Sequence, residues 1–346
     1  MKKQISANGI GWWYAFAHFS VEVVCFYFLF SRLGDSPYWW GLALLYDALA
    51  FIPQSFLGIW LDHHPRLNFG GIGGMMLILA LILPWNWIAF PILTIGNALV
   101  HVGGAQYTLC TAKGKLSPSS IFVGGGSFGV ITGQLLGKNA GAFTWLIPLG
   151  LMAFATVVLV VIHRICVVDS VTEGFALDSD LPVGWLVGLT FLTVAVRAYV
   201  GYAIPTEWNK STGQAILLFC CMGIGKALGG VFADRFGARR TAIWSLSLAL
   251  PLILFGNSAM VVSLIGVAFF SMTMPLTLGI LVSRFPRMPG LSFGITTVGL
   301  FVGSMPAFFV QPKGLLAHQI VVTVLTFVAL LAFLLCMRKE KTYETA

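Results

Sequence analysis

Long apolar runs, broken by short clusters of glycine, proline and charge, recur along the whole chain. Crossing a bilayer takes about 20 apolar residues. Runs of about that length are predicted at residues 10–32, 38–61, 69–84, 88–111, 119–137 and 142–163. A second set is predicted at 182–203, 212–233, 241–257, 259–282, 290–310 and 316–337. Between the sets lies the longest polar segment, Arg164 to Leu181, with Asp169, Glu173, Asp178 and Asp180. The expected fold is an all-α polytopic membrane protein of twelve transmembrane helices in two six-helix bundles. Residues 1–163 form the first bundle, 164–181 a linker and 182–346 the second bundle.

Composition narrows this picture. The chain has 346 residues, 58% of them hydrophobic and only 9% charged, against about 25% charged in a soluble domain. Twelve spans leave no room for a separate soluble domain. The basic start is followed by a long aromatic run holding His and Glu, with no small-residue cleavage site, so it reads as a first span and not a removable signal. The net charge of +8 sits in loops and points to topology and anionic lipid, not nucleic acid. With the N-terminus inside, fourteen Lys and Arg residues fall on the cytoplasmic side and four outside. Positive residues favour the inner face, so both termini are placed in the cytoplasm. The six cysteines form no Cys-x-x-Cys pair, and neither a metal site nor a disulfide framework is expected. Trp12, Trp13, Trp39, Trp40, Trp85 and Trp87 fall near span ends, as interface belts do.

The two sets echo each other. Gly58-Ile-Trp-Leu-Asp62 ends the second span as Gly230-Val-Phe-Ala-Asp234 ends the eighth, and Ser127-Phe-Gly129 in the fifth matches Ser292-Phe-Gly294 in the eleventh. The eighth span runs into Gly229-Gly-Val-Phe-Ala-Asp-Arg-Phe-Gly-Ala-Arg-Arg240. Gly237 permits a tight turn there, Asp234 can meet a neighbouring helix N-terminus, and the arginines hold the loop at one surface. This pattern closely resembles the loop signature of the major facilitator superfamily. The resemblance implies two pseudo-symmetric bundles and a cytoplasmic latch of Asp62, Arg66, Asp234, Arg235, Arg239 and Arg240. The first-half loop, Asp62-His-His-Pro-Arg66, lacks the arginine-rich continuation, which predicts a weaker latch. Asn97-Ala-Leu-Val-His101 and His18-Phe-Ser-Val-Glu22 are similar to the fosmidomycin-resistance branch. The fifth span lacks the Gly-Pro of the drug exporters' antiporter signature, and the fourth lacks their arginine.

Gly125, Gly129, Gly133 and Gly137 recur every fourth residue, as do Cys221, Gly225, Gly229 and Ala233. Each set lies on one helix face, and small residues there let helices approach closely in lipid. The resemblance implies that these faces meet across the bundles as a sliding contact.

Polar groups inside the spans carry the chemistry. A charged residue at a helix centre costs about 2.5–3.5 kcal/mol. Glu22, Asp47, Arg197 and Lys226 must therefore lie inside the bundle, paired or wet. Tyr14, His18 and Glu22 form one stripe, with His18 and Glu22 suited to carrying a proton. Asn97 with His101, Asp47 with Gln54, and Thr193 with Arg197 supply further cavity candidates. Arg197 suits an anionic group, since its planar donors match a carboxylate. Lys226 completes the predicted cavity, unless it snorkels to the cytoplasm. The expected function is secondary transport of a small polar or amphiphilic solute by alternating access. The expected form is a monomer in a bacterial inner membrane, needing no cofactor and coupled to protons for export. Uptake of an organic anion and a transport-inactive sensor are the alternatives. No phosphate-binding Gly-x-x-x-x-Gly-Lys-Ser/Thr stretch occurs, and His63-His64 with Asp62 is the sole candidate for a lipid-modifying centre, so an enzyme is not expected.

Overall fold

The computed structural model describes residues 6–166, 168–175, 177–309, 314, 318–337, 339 and 340. Lys2, Lys3, Lys313, Arg338 and Lys341, which entered the charge count, lie outside the described residues. The first six helices are α1 (Ala7–Leu33), α2 (Trp39–His63), α3 (Phe69–Ile82), α4 (Asn86–Cys110), α5 (Ser117–Lys138) and α6 (Leu146–Ile165). The second six are α7 (Val183–Ala203), α8 (Thr212–Phe236), α9 (Ala238–Phe255), α10 (Met260–Arg284), α11 (Pro289–Phe309) and α12 (Gln319–Cys336). All but α3 are long and apolar enough to cross a membrane. The 14 residues of α3 end at Ile82, because Leu83 adopts an extended backbone before Pro84, where the proline ring disfavours helix.

Sequence signals mark the helix ends. The Ser6 hydroxyl accepts from Gly9 N–H to start α1, Asn68 Oδ1 accepts from Gly71 N–H to start α3, and Ser211 with Gln214 forms a reciprocal capping box on α8. Gly237 turns the chain from α8 into α9 at φ +90°, a conformation that penalises any side chain. Large apolar side chains such as Trp87, Phe143, Trp185, Val261 and Phe309 face outward. That outer shell, with the long apolar helices, makes this an integral membrane protein.

Glycine seams set how the helices meet, and they correct one expectation. Gly125, Gly129, Gly133 and Gly137 do not face the second bundle. They pack on the backbone of α1, from Ala15 through Phe19 and Val23 to Tyr27. Gly225 and Gly229 likewise abut Ala268 and Met272 in the α10 region. Both sets are seams within a bundle, because the fourfold ladder holds each helix to its own bundle. The contact between bundles uses adjacent faces. Gly124 meets Gly223, and Gly230 meets Ser120, so that α5 crosses α8. Gly58 meets Gly290, and Gly294 meets Ser55, so that α2 crosses α11.

The predicted linker is partly buried beneath these crossings. Thr172 N–H donates to Pro286 O at 2.7 Å, and Gln106 Nε2 donates to Ser170 Oγ at 2.7 Å. The chain thus runs from α4 to the loop before α11. Residues 177–178 then pair antiparallel with residues 339–340.

Candidate functional site

Helices α1 and α4 bring three titratable side chains together. His18 and Glu22 stand one turn apart on α1, and His101 reaches them from α4. His18 Nε2 lies 2.9 Å from His101 Nε2, and Glu22 Oε1 lies 3.4 Å from both nitrogens. All three residues are buried. The other nitrogen of each ring is fixed by backbone: His18 Nδ1 donates to Phe122 O at 2.9 Å, and His101 Nδ1 donates to Asn97 O at 2.9 Å. A carbonyl oxygen only accepts, so both Nδ1 atoms carry hydrogen. Two neutral rings would then aim bare Nε2 lone pairs at each other. A positive charge shared between them, balanced by the Glu22 carboxylate, removes that repulsion. Gly126 makes room for this arrangement, since a Cβ there would overlap the His18 ring. A Cβ at Gly129 would come within 2.7 Å of Glu22 Cβ.

The neighbouring candidates divide. Tyr14 stacks on Tyr107 with centroids 5.4 Å apart and is buried in the first bundle. Asn97 Nδ2 donates to Tyr46 Oη at 3.0 Å and contacts Cys25 Sγ at 3.5 Å, tying α4 to α2 and α1. Gln54 is fully buried and donates to Ala50 O on its own helix. These three were expected to line a cavity. Gln54 Oε1 and Asn97 Oδ1 are buried without a hydrogen-bond partner, and the contact of Tyr14 is the ring stack on Tyr107. Asp47 is half-buried and within electrostatic range of Glu22 and of Tyr202 in the other bundle.

In the second bundle Arg197 is 7% exposed. Its guanidinium lies 5.5 Å from the centre of the Phe270 ring, and its buried Nε has no hydrogen-bond partner. Among the described residues the only acid–base contacts within 4 Å are those of His18 and His101 with Glu22. Arg197 therefore sits inside the protein with no carboxylate within 4 Å among the described residues. Thr193 spends its hydroxyl on Leu189 O at 2.7 Å, so it does not extend the arginine's donor set. Lys226 does not snorkel: Nζ donates to Ser127 Oγ on α5 at 2.9 Å, bridging the bundles. Glu22 and Arg197 are both within its electrostatic range.

At one end of the molecule two aspartates tie the bundles together. Asp62 accepts from Gly290 N–H and Leu291 N–H, both at 2.9 Å, at the start of α11. Asp234 accepts from Leu116 N–H at 2.6 Å and Ser117 N–H at 2.9 Å, at the start of α5. Each acid ends its own helix, where the dipole disfavours an anion, and instead satisfies orphan donors at a partner's N-terminus. The arginines expected to share this latch do not. Arg66, Arg235, Arg239 and Arg240 make no ion pair among the described residues; Arg235 lies over the Phe236 ring, and Arg239 Nε is buried without a partner. The first-half cap is geometrically complete without the arginine-rich continuation, because the chemistry needs only the carboxylate and two backbone donors.

Sequence reading missed several partners. His101 is 83 positions from His18, so no local spacing joins them. Gly126 stands one place off the fourfold glycine ladder, and Ser127 was visible only as part of a repeat.

Two six-helix bundles, crossed through glycines and tied at one end by equivalent aspartates, define the major facilitator fold. No family model matches the sequence, and no curated protein matches it. Solved structures do. A double-tryptophan variant of XylE aligns with TM-score 0.67 and 15% identity over 97% of this chain and 96% of that one. The human organic anion transporter MFSD10 (TETRAN) aligns with TM-score 0.64 and 13% identity over 94% and 97%. A variant of the Escherichia coli fucose:proton symporter FucP aligns with TM-score 0.62 and 14% identity over 95% and 98%. At these identities the likeness is one of fold.

Proposed function

We propose that the chain is a secondary active transporter that moves a small polar or amphiphilic organic solute by alternating access. The observation that carries this reading is the pair of aspartate caps. Asp62 on α11 and Asp234 on α5 join the two bundles through four hydrogen bonds to backbone, at equivalent positions and at one end. Such caps can break and reform without unfolding either bundle. Glycine-lined crossings beside them supply flat surfaces for rocking. The excess of Lys and Arg at this end supports a cytoplasmic position for it and for both termini, and on that reading the conformation described is closed inward. The monomer works in a bacterial cytoplasmic membrane in contact with anionic lipid.

Arg197, buried without a carboxylate, is the anchor for an anionic part of the solute. Lys226 releases Ser127 when the bundles move. A proton held by His18 and Glu22, with His101 as third partner, is the coupling ion, and the direction is export, as the resemblance of the α1 and α4 segments implies. The test uses full-length protein in liposomes with an internal pH dye, challenged with a panel of small organic anions. A solute that drives proton movement in the wild type should drive none in Glu22→Gln. Undiminished coupled flux in that variant removes Glu22 from the mechanism.

A further inference from the structure

The three side chains where α1 meets α4 have a second property that transport does not require. Two imidazole nitrogens and one carboxylate oxygen stand 2.9, 3.4 and 3.4 Å from one another, and the three ligand atoms fall within 4.8 Å of one another. A tetrahedral ion with bonds of about 2.1 Å separates its ligands by about 3.4 Å, and an octahedral one by about 3.0 Å. The two 3.4 Å separations match the tetrahedral edge, and the 2.9 Å between the nitrogens reaches it by a small rotation of the side chains. Ligand orientation is an independent sign. Histidines that bind metals donate their other ring nitrogen to a carbonyl or carboxylate, which fixes the tautomer and frees the ligating lone pair. His18 and His101 both do this, on Phe122 O and Asn97 O, and both free nitrogens stand 3.4 Å from the same Glu22 oxygen.

We propose that His18, His101 and Glu22 form a binding site for one divalent transition-metal cation of the zinc class. Donor chemistry selects the class. Two imidazoles and one carboxylate suit Zn²⁺, Co²⁺ or Ni²⁺, whereas Mg²⁺ and Ca²⁺ take oxygen ligands. Three protein ligands leave a position for water or an exchangeable group, as in open zinc sites and unlike closed four-ligand structural ones. The ion replaces the charge shared by the two Nε2 atoms, so metal and proton are alternatives at these atoms. Both helices belong to one bundle, and the bound ion braces that bundle without bridging the two. The site is an equilibrium property of the protein and does not depend on its being a transporter.

Tag-free, full-length protein stripped with a chelator is titrated with ZnCl₂ by calorimetry and with Co²⁺ by visible absorption. One ion per chain is expected, with a dissociation constant of about 1 µM or tighter. His101→Gln and Glu22→Gln should each weaken binding by about 100-fold, while the double change His63→Gln/His64→Gln leaves it unaltered. X-ray absorption of zinc on the wild type, which needs no variant to fold, should show two imidazoles at about 2.0–2.1 Å. Binding weaker than millimolar, a spectrum without imidazole, or binding lost on changing His63 and His64 but kept in His101→Gln overturns the proposal. Zinc bound as expected, together with coupled flux undiminished in Glu22→Gln, would leave the metal site standing and overturn the proton-coupling role.

Discussion

The facing imidazoles of His18 and His101 are the point on which the chemistry turns. Their rings are held by two carbonyls of different helices, so neither can rotate away without losing a buried hydrogen bond, worth about 1 kcal/mol net. Gly126 is the residue that allows this contact. Gly126→Ala should push the His18 ring off His101 and abolish the proposed proton coupling, while overpacking lowers stability by about 1–3 kcal/mol. Flux with the pH dye and a melting curve on the same sample check both parts; coupling retained in that variant contradicts the role given to the ring contact. At Arg197 the expectation concerns affinity. A charge-assisted hydrogen bond contributes about 1.5–3 kcal/mol, so Arg197→Ala should weaken an anionic ligand found by thermal shift by about 10–100-fold. Neutral ligands should be affected little.

At the scale of elements, two kinds of glycine contact do different work. The α1–α5 seam holds a bundle together, and the α5–α8 and α2–α11 crossings hold the bundles to each other. Gly129→Ala would overlap the Phe19 carbonyl and should lower the melting temperature without changing which end is open. Gly230→Ala would overlap the Ser120 side chain and should favour the conformation open at the capped end. Thiol labelling of Ser119→Cys, at the start of α5 and 1% exposed here, reads that opening: reactivity should rise with Gly230→Ala and stay low with Gly129→Ala. These roles show what the sequence made legible. Apolar runs and the Asp234 loop gave the twelve helices, because burying backbone in lipid leaves little alternative to helix. A fourfold glycine ladder announces close packing, yet it does not name the partner helix. Gly125 and Gly124 are adjacent in sequence but serve different neighbours. Tyr14, Gln54 and Asn97 were named as cavity residues on the same kind of spacing. Helical spacing places them on a stripe, but only the packed structure shows the stack of Tyr14 on Tyr107 and the amide donors that Gln54 and Asn97 give to Ala50 and Tyr46.

Across the whole molecule, the proposed balance between open and closed states would rest on few contacts. Each aspartate cap places an anion at a helix N-terminus, an arrangement worth about 0.3–1 kcal/mol at an exposed site. The backbone bonds add to that, and the linker from Ser170 to Thr172 spans the same end. Removing both charges should therefore shift the balance without unfolding the bundles. Spin labels at positions 64 and 287, in the loops after α2 and before α11, report the separation of the bundles at that end. The measurement is the distance distribution by pulsed electron resonance in a cysteine-free background, with and without Asp62→Asn and Asp234→Asn together. The account predicts a dominant short distance with both aspartates present and a second, longer population when both are replaced. A single unchanged distribution in both proteins would contradict the reading of these two bundles as moving parts.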